Sequence, residues 1–93
     1  MPRTIKKYAN RRLYDTEASR HVTLDGIRQL VASGEDVVVV DDTTGQDITR
    51  NILLQVISEQ EQGGRPILSA DMLKHIIRFY GNPLQEMMGG YLE

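Results

Sequence analysis

The chain of 93 residues contains no cysteine and only two histidines. Without cysteine there are no disulfides, thiolate metal sites or cysteine nucleophiles, and this absence fits a reducing compartment. His21 and His75 lie far apart in the sequence, and neither has a serine or carboxylate placed to suggest a catalytic triad. We therefore expect neither an enzyme nor a metal site, and no cofactor.

Long apolar runs and phosphate loops are also missing. No apolar run approaches the roughly 18 residues that a membrane span needs, and the N-terminus has no apolar signal core. Neither Gly-x-x-x-x-Gly-Lys nor Gly-x-Gly-x-x-Gly occurs. Residues 41–47 resemble a calcium loop, but their adjacent aspartates and early glycine fit a hairpin turn better. A small cytoplasmic protein with one core is the expectation.

The charge of the chain is unevenly distributed. Its formal net charge is -2, yet residues 1–28 hold seven basic and three acidic groups, which gives +4, whereas residues 29–93 hold four basic and ten acidic groups, which gives -6. A positive pole can bind an anion even when the total charge is negative.

Residues 5–15 concentrate this positive charge and mix it with tyrosine and asparagine. Lysine and arginine neutralise phosphates, while tyrosine and asparagine stack on bases or bind them by hydrogen bonds, so the stretch predicts a nucleic-acid surface. The alternative is a solvated edge strand whose lysines block pairing with other strands. The predicted DNA contacts are Arg3, Lys6, Lys7, Tyr8, Asn10, Arg11, Arg12 and Tyr14.

The same stretch, with residues 20–24 (Arg-His-Val-Thr-Leu) and 37–41 (Val-Val-Val-Val-Asp), resembles the N-terminal domain of the polyhydroxyalkanoate synthesis repressor family. Residues 7–16 are the most specific part of a resemblance that covers about residues 5–80. It implies a DNA-binding transcriptional repressor that also binds the storage polymer, polyhydroxyalkanoate (polyhydroxybutyrate), and leaves its operator when polymer appears.

Two arrangements of N-terminal strands are compatible with the sequence. In one, residues 5–8 and 12–15 form strands on either side of a turn at Asn10. In the other, Leu13 and Val22 face the core from two strands joined by residues 16–19. The second gives a ribbon that can enter a major groove, with an outer face formed by Arg12, Tyr14 and His21.

Two helices and a strand are predicted next. Thr23 caps a helix over residues 24–33, which Gly34 ends, and its core-facing stripe consists of Leu24, Ile27, Leu30 and Val31. Four valines at 37–40 predict a central strand with a short partner at 46–48. Thr49 is expected to cap a helix over residues 50–62, with a buried face of Ile52, Leu53, Val56 and Ile57.

A third helix over residues 70–80, begun by Ser69, carries more apolar side chains than one core contact can cover. A fourth amphipathic segment follows, and it is expected to continue beyond Glu93. We therefore expect a second chain or an apolar partner against these segments. The predicted oligomer or polymer surface consists of Met72, Leu73, Ile76, Ile77, Phe79, Tyr80, Leu84, Met87, Met88 and Tyr91.

The sequence thus predicts an α+β fold: a small antiparallel sheet packed by two helices, in a DNA-binding domain over residues 1–68. Residues 69–93 are expected to form a helical segment for self-association that is truncated in this sequence. The expected function is a repressor of polyhydroxyalkanoate synthesis or granule-protein genes, acting as a homo-oligomer on double-stranded operator DNA. The alternatives are an oligomerisation or polymer-granule module without direct DNA contact, and a small-molecule sensor between the valine strand and the third helix.

Overall fold

The structure, a computed structural model, describes residues 2–63 and 65–80. The chain divides into two compact units, Met1–Gln60 and Glu61–Glu93. In order along the sequence, the described elements are β1 (Arg3–Lys7), β2 (Leu13–Asp15), β3 (Arg20–Val22), α1 (Leu24–Ala32), β4 (Val37–Asp41), α2 (Thr49–Gly63) and α3 (Ala70–Tyr80). The predicted α+β class is confirmed.

The four strands form one sheet in the order β3-β2-β1-β4. β2 pairs antiparallel with both β1 and β3, so both predicted arrangements of the N-terminal strands occur together in a three-stranded meander. β4 pairs parallel with β1, from Arg3 opposite Val37 to Lys7 opposite Asp41. The sheet is therefore mixed rather than wholly antiparallel.

The valine strand β4 lies at one side of the sheet, and β1 takes a central position. The prediction of a central valine strand is wrong in this respect. Val37 and Val39 are buried, whereas Val38 and Val40 are only half-buried. The free side of β4 receives a short return of the chain, with a single antiparallel bridge between Val40 and Asp47.

One face of the sheet and two helices enclose the core. Its buried side chains are Ile5, Leu13, Ile27, Val37, Val39, Ile52 and Val56. Completely burying a valine or isoleucine side chain stabilises a fold by roughly 1.5–3 kcal/mol, so this cluster supplies most of the driving force for the first unit. Within the first unit, α1 and α2 supply core residues on this face of the sheet.

Helix α1 begins and ends as predicted. The Thr23 hydroxyl accepts a hydrogen bond from the Gly26 amide at 3.0 Å, and Gly34 adopts a φ of 95° just after the helix. Ile27 is buried, with Leu24 and Leu30 packed beside it. Val31, however, is 45% exposed, because the core covers a narrower stripe than the four apolar residues predicted.

Helix α2 starts one residue earlier than predicted, and Thr49 is its first residue rather than its cap. The Thr49 hydroxyl accepts a hydrogen bond from the Val39 amide at 2.8 Å, while the Asp47 carboxylate accepts one from the Thr49 amide at 2.9 Å. Thr49 thus fastens the helix to β4. Ile52 and Val56 are buried as expected, but Ile57 is 51% exposed.

In the second unit, the Glu61 carboxylate accepts hydrogen bonds from the amides of Ile67 and Leu68 at 3.0 and 3.2 Å. Ser69 caps α3 as predicted, since its hydroxyl accepts a hydrogen bond from the Met72 amide at 3.1 Å. In the described part of the chain, no helix is both long and apolar enough to span a membrane.

Candidate nucleic-acid interface

The strand register brings a basic and two aromatic side chains together on the face of the sheet that points away from the core. Lys6 pairs with Tyr14 across β1 and β2, and Tyr14 pairs with His21 across β2 and β3. Because side chains alternate along a strand, these residues lie opposite the buried Ile5 and Leu13. We call the surface formed by Lys6, Tyr8, Tyr14 and His21 the outer face.

Three rings form a continuous row across the outer face. The rings of Tyr8 and Tyr14 are 6.2 Å apart at 61°, and those of Tyr14 and His21 are 5.5 Å apart at 83°. Edge-to-face packing of this kind favours a fixed arrangement of the rings. His21 Nδ1 lies 3.3 Å from the Leu13 carbonyl, so the Nδ1–H tautomer donates a hydrogen bond there and leaves Nε2 for another partner.

The β1–β2 hairpin ends in a tip, residues 9–11, whose backbone is held by three hydrogen bonds. The Tyr8 amide donates to the Arg12 carbonyl at 2.9 Å, and the Arg11 amide donates to the Tyr8 carbonyl at 2.9 Å. Asn10 Oδ1 accepts from the Arg12 amide at 3.1 Å. Asn10 is therefore the turn residue that the sequence predicted.

Arg11 has a φ of 66°, in the left-handed region that an arginine seldom adopts. A three-residue hairpin loop needs this conformation in its last position, where glycine is the usual choice. Both Arg11 and Arg12 are exposed. Arg11 in the tip and Arg12 directly after it thus present two adjacent guanidinium groups, and that of Arg11 comes from a strained backbone position of the kind that often occurs at functional sites.

The adjacent residues Lys6 and Lys7 point to opposite sides of the sheet. Lys6 belongs to the outer face, where its Nζ lies 3.7 Å from an Asp42 carboxylate oxygen in a half-exposed ion pair. Lys7 lies on the core side, at the end of the sheet, where it lines a cavity together with Arg11 and Gln55. The two lysines therefore cannot serve the same contact.

Arg3 is the predicted DNA contact whose surroundings differ most from the expectation. Its guanidinium donates to Asp15 Oδ2 from Nε at 3.0 Å and from Nη2 at 2.8 Å, and Nη1 lies 3.8 Å from both Glu17 and Glu35. The hydrogen bond with Asp15 raises the pKa of Arg3. The Asp15 side chain is only 5% exposed. Arg3 therefore neutralises a buried carboxylate within the fold.

The helices of the first unit offer less positive charge than the outer face and the tip. On α1, Arg28 Nε donates to Asp25 at 2.8 Å, and Gln29 also donates to this carboxylate at 2.9 Å. These hydrogen bonds lower the pKa of Asp25. On α2, Arg50 is the only basic residue, whereas Glu59 and Glu61 occupy the later turns. Cations available to an anion thus cluster around the meander.

Six of the eight predicted DNA contacts therefore lie around the outer face and the tip, whereas Arg3 and Lys7 lie on the core side of the sheet. His21 is absent from the predicted contacts, although pairing Leu13 with Val22 had placed it on this face. The signal that identifies it is the two-residue alternation around Val22. Residues 2–63 and 65–80 contain no cluster of histidine and carboxylate side chains that could hold a metal ion.

Comparison with known proteins agrees with the resemblance of the sequence. Residues 4–64 match the family model described as the PHB/PHA accumulation regulator DNA-binding domain. Residues 68–93 match the model described as the PHB accumulation regulatory domain. The chain belongs to the PHB/PHA accumulation regulators. The outer face and the tip lie within the part of this regulator that matches the DNA-binding model.

Two relatives of this regulator are each 57% identical over 91 residues, or 98% of the chain. One is an uncharacterized protein of Allochromatium vinosum, and the other is an uncharacterized protein in the phbA 5' region of Thiocystis violacea. The chain spans 60% and 66% of their respective lengths. No solved structure matches the regulator significantly.

Helix α3 carries the described part of the predicted oligomer or polymer surface. Its large apolar side chains are between 39% and 70% exposed, and the helix buries none of its residues. The six concerned are Met72, Leu73, Ile76, Ile77, Phe79 and Tyr80. The other predicted members, Leu84, Met87, Met88 and Tyr91, lie outside the described residues.

Proposed function

We propose that the first unit binds double-stranded operator DNA through the outer face and the tip, as part of a repressor of polyhydroxyalkanoate synthesis or granule-protein genes. The observation that carries the proposal is that Lys6 and the row of three rings lie on the face of the sheet opposite the core, next to the exposed Arg11 and Arg12. Membership of the PHB/PHA accumulation regulators supports it.

The geometry favours a sheet over a helix as the element that enters the groove. A major groove about 12 Å wide admits a two-stranded ribbon, and neighbouring strands lie about 4.8 Å apart. The outer sides of β2 and β3 carry Tyr14 and His21, while α1 offers an arginine already bound to Asp25. A helix with neutralised cations is a poor match for a phosphate-lined groove.

Roles for the individual side chains follow from their positions. Arg12 is exposed directly after the tip, and bidentate pairing of arginine with guanine makes it the candidate for a base edge. Arg11, whose side chain also lines the cavity behind the tip, serves a phosphate. Lys6 serves a phosphate. Asn10 Oδ1 already accepts a hydrogen bond from the Arg12 amide, so we assign Asn10 to shaping the tip.

A salt titration tests DNA binding directly. The duplex is first selected from a random-sequence pool by the protein itself, and affinity is then measured against salt concentration. If Lys6, Lys7 and Arg11 each neutralise a phosphate, log K falls with log salt at a slope of about -2.7 per chain. Raising salt fourfold then weakens binding about 40-fold. A slope near zero, or no enrichment of any duplex, contradicts the proposal.

Substitution of Arg12 separates sequence reading from general attraction. Arg12→Ala is expected to weaken binding to the selected duplex by roughly 1–3 kcal/mol and to relax preference at one base pair. Arg65→Ala removes the same charge from an exposed position in the second unit and serves as the matched control. Equal effects of the two substitutions would contradict the assignment of Arg12.

A second function, self-association or attachment to the storage polymer, is favoured by the exposure of α3. Leaving half-exposed leucine, isoleucine and phenylalanine side chains in water forgoes several kcal/mol that a partner surface can recover. We propose that α3 contributes to a homo-oligomer and to a surface for polyhydroxyalkanoate. Polymer that competes for the same side chains would separate the subunits and release both half-sites of the operator together.

This second function is tested with Ile77→Glu, which places a charge at the most exposed of the six apolar positions of α3, and with Lys74→Glu as the control on the same helix. Light scattering reports the oligomer, and co-sedimentation with amorphous polymer particles reports attachment. We expect Ile77→Glu to reduce one or both, and Lys74→Glu to reduce neither. If polymer leaves both the oligomer and DNA affinity of the unsubstituted protein unaltered, the linkage is wrong.

A further inference from the structure

A cavity of about 370 Å³ opens at the end of the sheet behind the tip. Four elements and the tip supply its walls, because β1, β2 and the two helices of the first unit meet there. Its lining residues are Lys7, Arg11, Leu13, Leu24, Ile52 and Gln55.

The cavity has an apolar floor and a polar rim. Leu13 and Ile52 on the floor are 8% and 2% exposed, so they belong to the core. The rim carries the Lys7 ammonium, the Arg11 guanidinium and the Gln55 amide, and none of the lining residues is a carboxylate. In the part of the chain that the structure describes, neither Lys7 nor Arg11 forms an ion pair. A site of this composition suits a group with an apolar body and one anionic end.

We propose that this cavity seats one sugar–phosphate unit of the DNA backbone. The phosphate lies between Lys7 and Arg11 and accepts a hydrogen bond from the Gln55 amide, while the deoxyribose carbons face the apolar floor. This inference rests on the proposed function and adds to it a backbone site on the opposite side of the sheet from Lys6. Lys7 and Gln55 act as positioning residues, because a seated backbone fixes the register at which the outer face meets the bases.

A nucleobase fits the same cavity less well. The edges of a base carry several donors and acceptors, and the floor formed by Leu13, Leu24 and Ile52 side chains offers them none, so they would lose hydrogen bonds to water without replacement. A sugar–phosphate unit places its only charge at the rim, where charge-assisted hydrogen bonds from lysine, arginine and amide groups are strongest. The chemistry therefore favours the backbone.

A run of basic residues in the sequence does not reveal this backbone site, because of the position of Lys7 in β1. Lys6 and Lys7 are adjacent in sequence, but alternation directs Lys7 toward the core side, where it lines the same cavity as Gln55, which is 48 positions away in the sequence. Only the folded arrangement brings the two together.

A double-substitution cycle between protein and DNA tests the seat. The selected duplex is prepared in a series in which one phosphate at a time is replaced by an uncharged methylphosphonate. Against the unsubstituted protein, neutralising the seated phosphate is expected to weaken binding roughly tenfold. Against Gln55→Ala, the same methylphosphonate is expected to weaken binding less than about threefold, because part of the contact is already missing.

Two variants keep the test decisive. Gln62→Ala, an exposed glutamine on α2 outside the cavity lining, is the matched control and should leave the methylphosphonate profile unchanged. Lys7→Met should lower the magnitude of the salt slope by about 0.9 and weaken binding to selected and unrelated duplexes alike. Circular dichroism confirms that each variant is folded.

The outcomes separate the two proposals. If the effects of Gln55→Ala and of the methylphosphonate are additive at every position, the proposal of a backbone site in the cavity is wrong. The proposal of DNA binding then still stands. Failure of the unsubstituted protein to bind any selected duplex overturns the proposed function as well. Free 2-deoxyribose 5-phosphate is titrated in parallel. If it binds tightly, if Gln55→Ala abolishes that binding, and if the effects on DNA are additive, the cavity is a site for a small anionic ligand. The proposal of a backbone site is then wrong.

Discussion

The guanidinium of Arg3 donates two hydrogen bonds to one carboxylate oxygen of Asp15, from Nε at 3.0 Å and from Nη2 at 2.8 Å. The contact joins β1 to β2 and places a charged pair beside the core. A carboxylate this deeply buried requires a cation, because an uncompensated charge in the interior is strongly destabilising. Arg3 therefore neutralises Asp15 within the fold.

Removing the Asp15 carboxylate tests this role. We expect Asp15→Ala to lower the free energy of unfolding by about 3 kcal/mol, at the lower end of the range for breaking a buried pair, since Glu17 and Glu35 remain near Arg3. Urea denaturation followed by circular dichroism measures the change. Glu17→Ala, at a mostly exposed carboxylate, is the control and should shift stability by less than about 1 kcal/mol. Similar losses from both substitutions would contradict the role of Asp15.

The pH dependence of stability has a defined direction. Burial raises the pKa of Asp15, but hydrogen bonds from Arg3 and from the amides of Ala18 and Glu17 outweigh it, so the pKa in the folded state lies below the ordinary value. The unfolded chain therefore binds a proton at higher pH than the folded chain does. The stabilisation is complete well above pH 3.9 and is lost as pH falls through the lowered pKa of the folded state.

Denaturation of the unsubstituted protein at pH values from 7 to 2 checks this direction. Stability should fall on acidification, and Asp15→Ala should show a shallower fall. Part of the fall should persist, because hydrogen bonds from Arg28 and Thr49 lower the pKa of Asp25 and of Asp47 respectively. Parallel curves for the two proteins would show that Asp15 is not the responsible group.

Arg11 allows stability and DNA affinity to be separated at one position. Its φ of 66° suits glycine, so Arg11→Gly should be more stable than Arg11→Ala by about 1 kcal/mol. Both variants lack the guanidinium, and both should bind the selected duplex at least tenfold more weakly than the unsubstituted protein. Thermal denaturation and a binding titration measure the two effects. A folded glycine variant with unchanged affinity would remove Arg11 from the interface.

Gly26 marks a close approach between α1 and β3. A Cβ added at Gly26 would lie 2.5 Å from Val22 Cγ2, so Gly26→Ala should destabilise the protein by about 1–3 kcal/mol despite the better helix propensity of alanine. Gly63→Ala meets no atom within 4 Å and should be neutral or slightly stabilising. Urea midpoints of the two variants that coincide would show that α1 can shift away at little cost.

Asp42 restrains the outer face through its 3.7 Å ion pair with Lys6. The pair is half-exposed, and breaking it should change stability by less than about 1 kcal/mol. Asp42→Asn should nevertheless strengthen DNA binding about two- to fivefold, because it frees Lys6 and removes a charge that repels phosphate. The gain should shrink as salt is raised. Asp36→Asn, at an exposed position outside this pair, should have a smaller effect.

Local signals predicted local features of the fold well. Thr23, Gly34 and Ser69 each take the capping or terminating role expected from their chemistry, because a cap depends on residues only three or four positions away. The β1–β2 and β2–β3 pairings are also local, because each joins strands that follow one another in the sequence, and they follow from the alternation around Leu13 and Val22.

Non-local pairing was the part that the sequence did not determine. Nothing near β4 indicates that it runs parallel to β1, and a four-valine run suits a central strand as well as one whose free side is partly covered. The sequence predicted a capping role for Thr49. It could not show that the Thr49 hydroxyl accepts a hydrogen bond from the Val39 amide, because this contact forms only in the folded chain.

The interface shows the same division between composition and geometry. Counting cations located the basic pole, but alternation from buried Ile5 is what places Arg3 on the core side and Lys6 on the outer face. This two-residue alternation is visible in the sequence, and it is sufficient to place Arg3 and Lys6 on opposite faces of the sheet. No pattern in the sequence indicates that Lys7 and Gln55 line the same cavity.

The central position of β1 has a consequence for the order in which the chain matures during synthesis. The outer face is complete once residue 22 has left the ribosome, since β1, β2 and β3 are consecutive. The reverse side of the same strands stays bare until β4 and then Ile52 arrive. In a nascent chain, the residues of the cationic surface are therefore available before the apolar face of the same strands is buried. Binding of a chaperone or premature contact with polyanions would matter most during this interval.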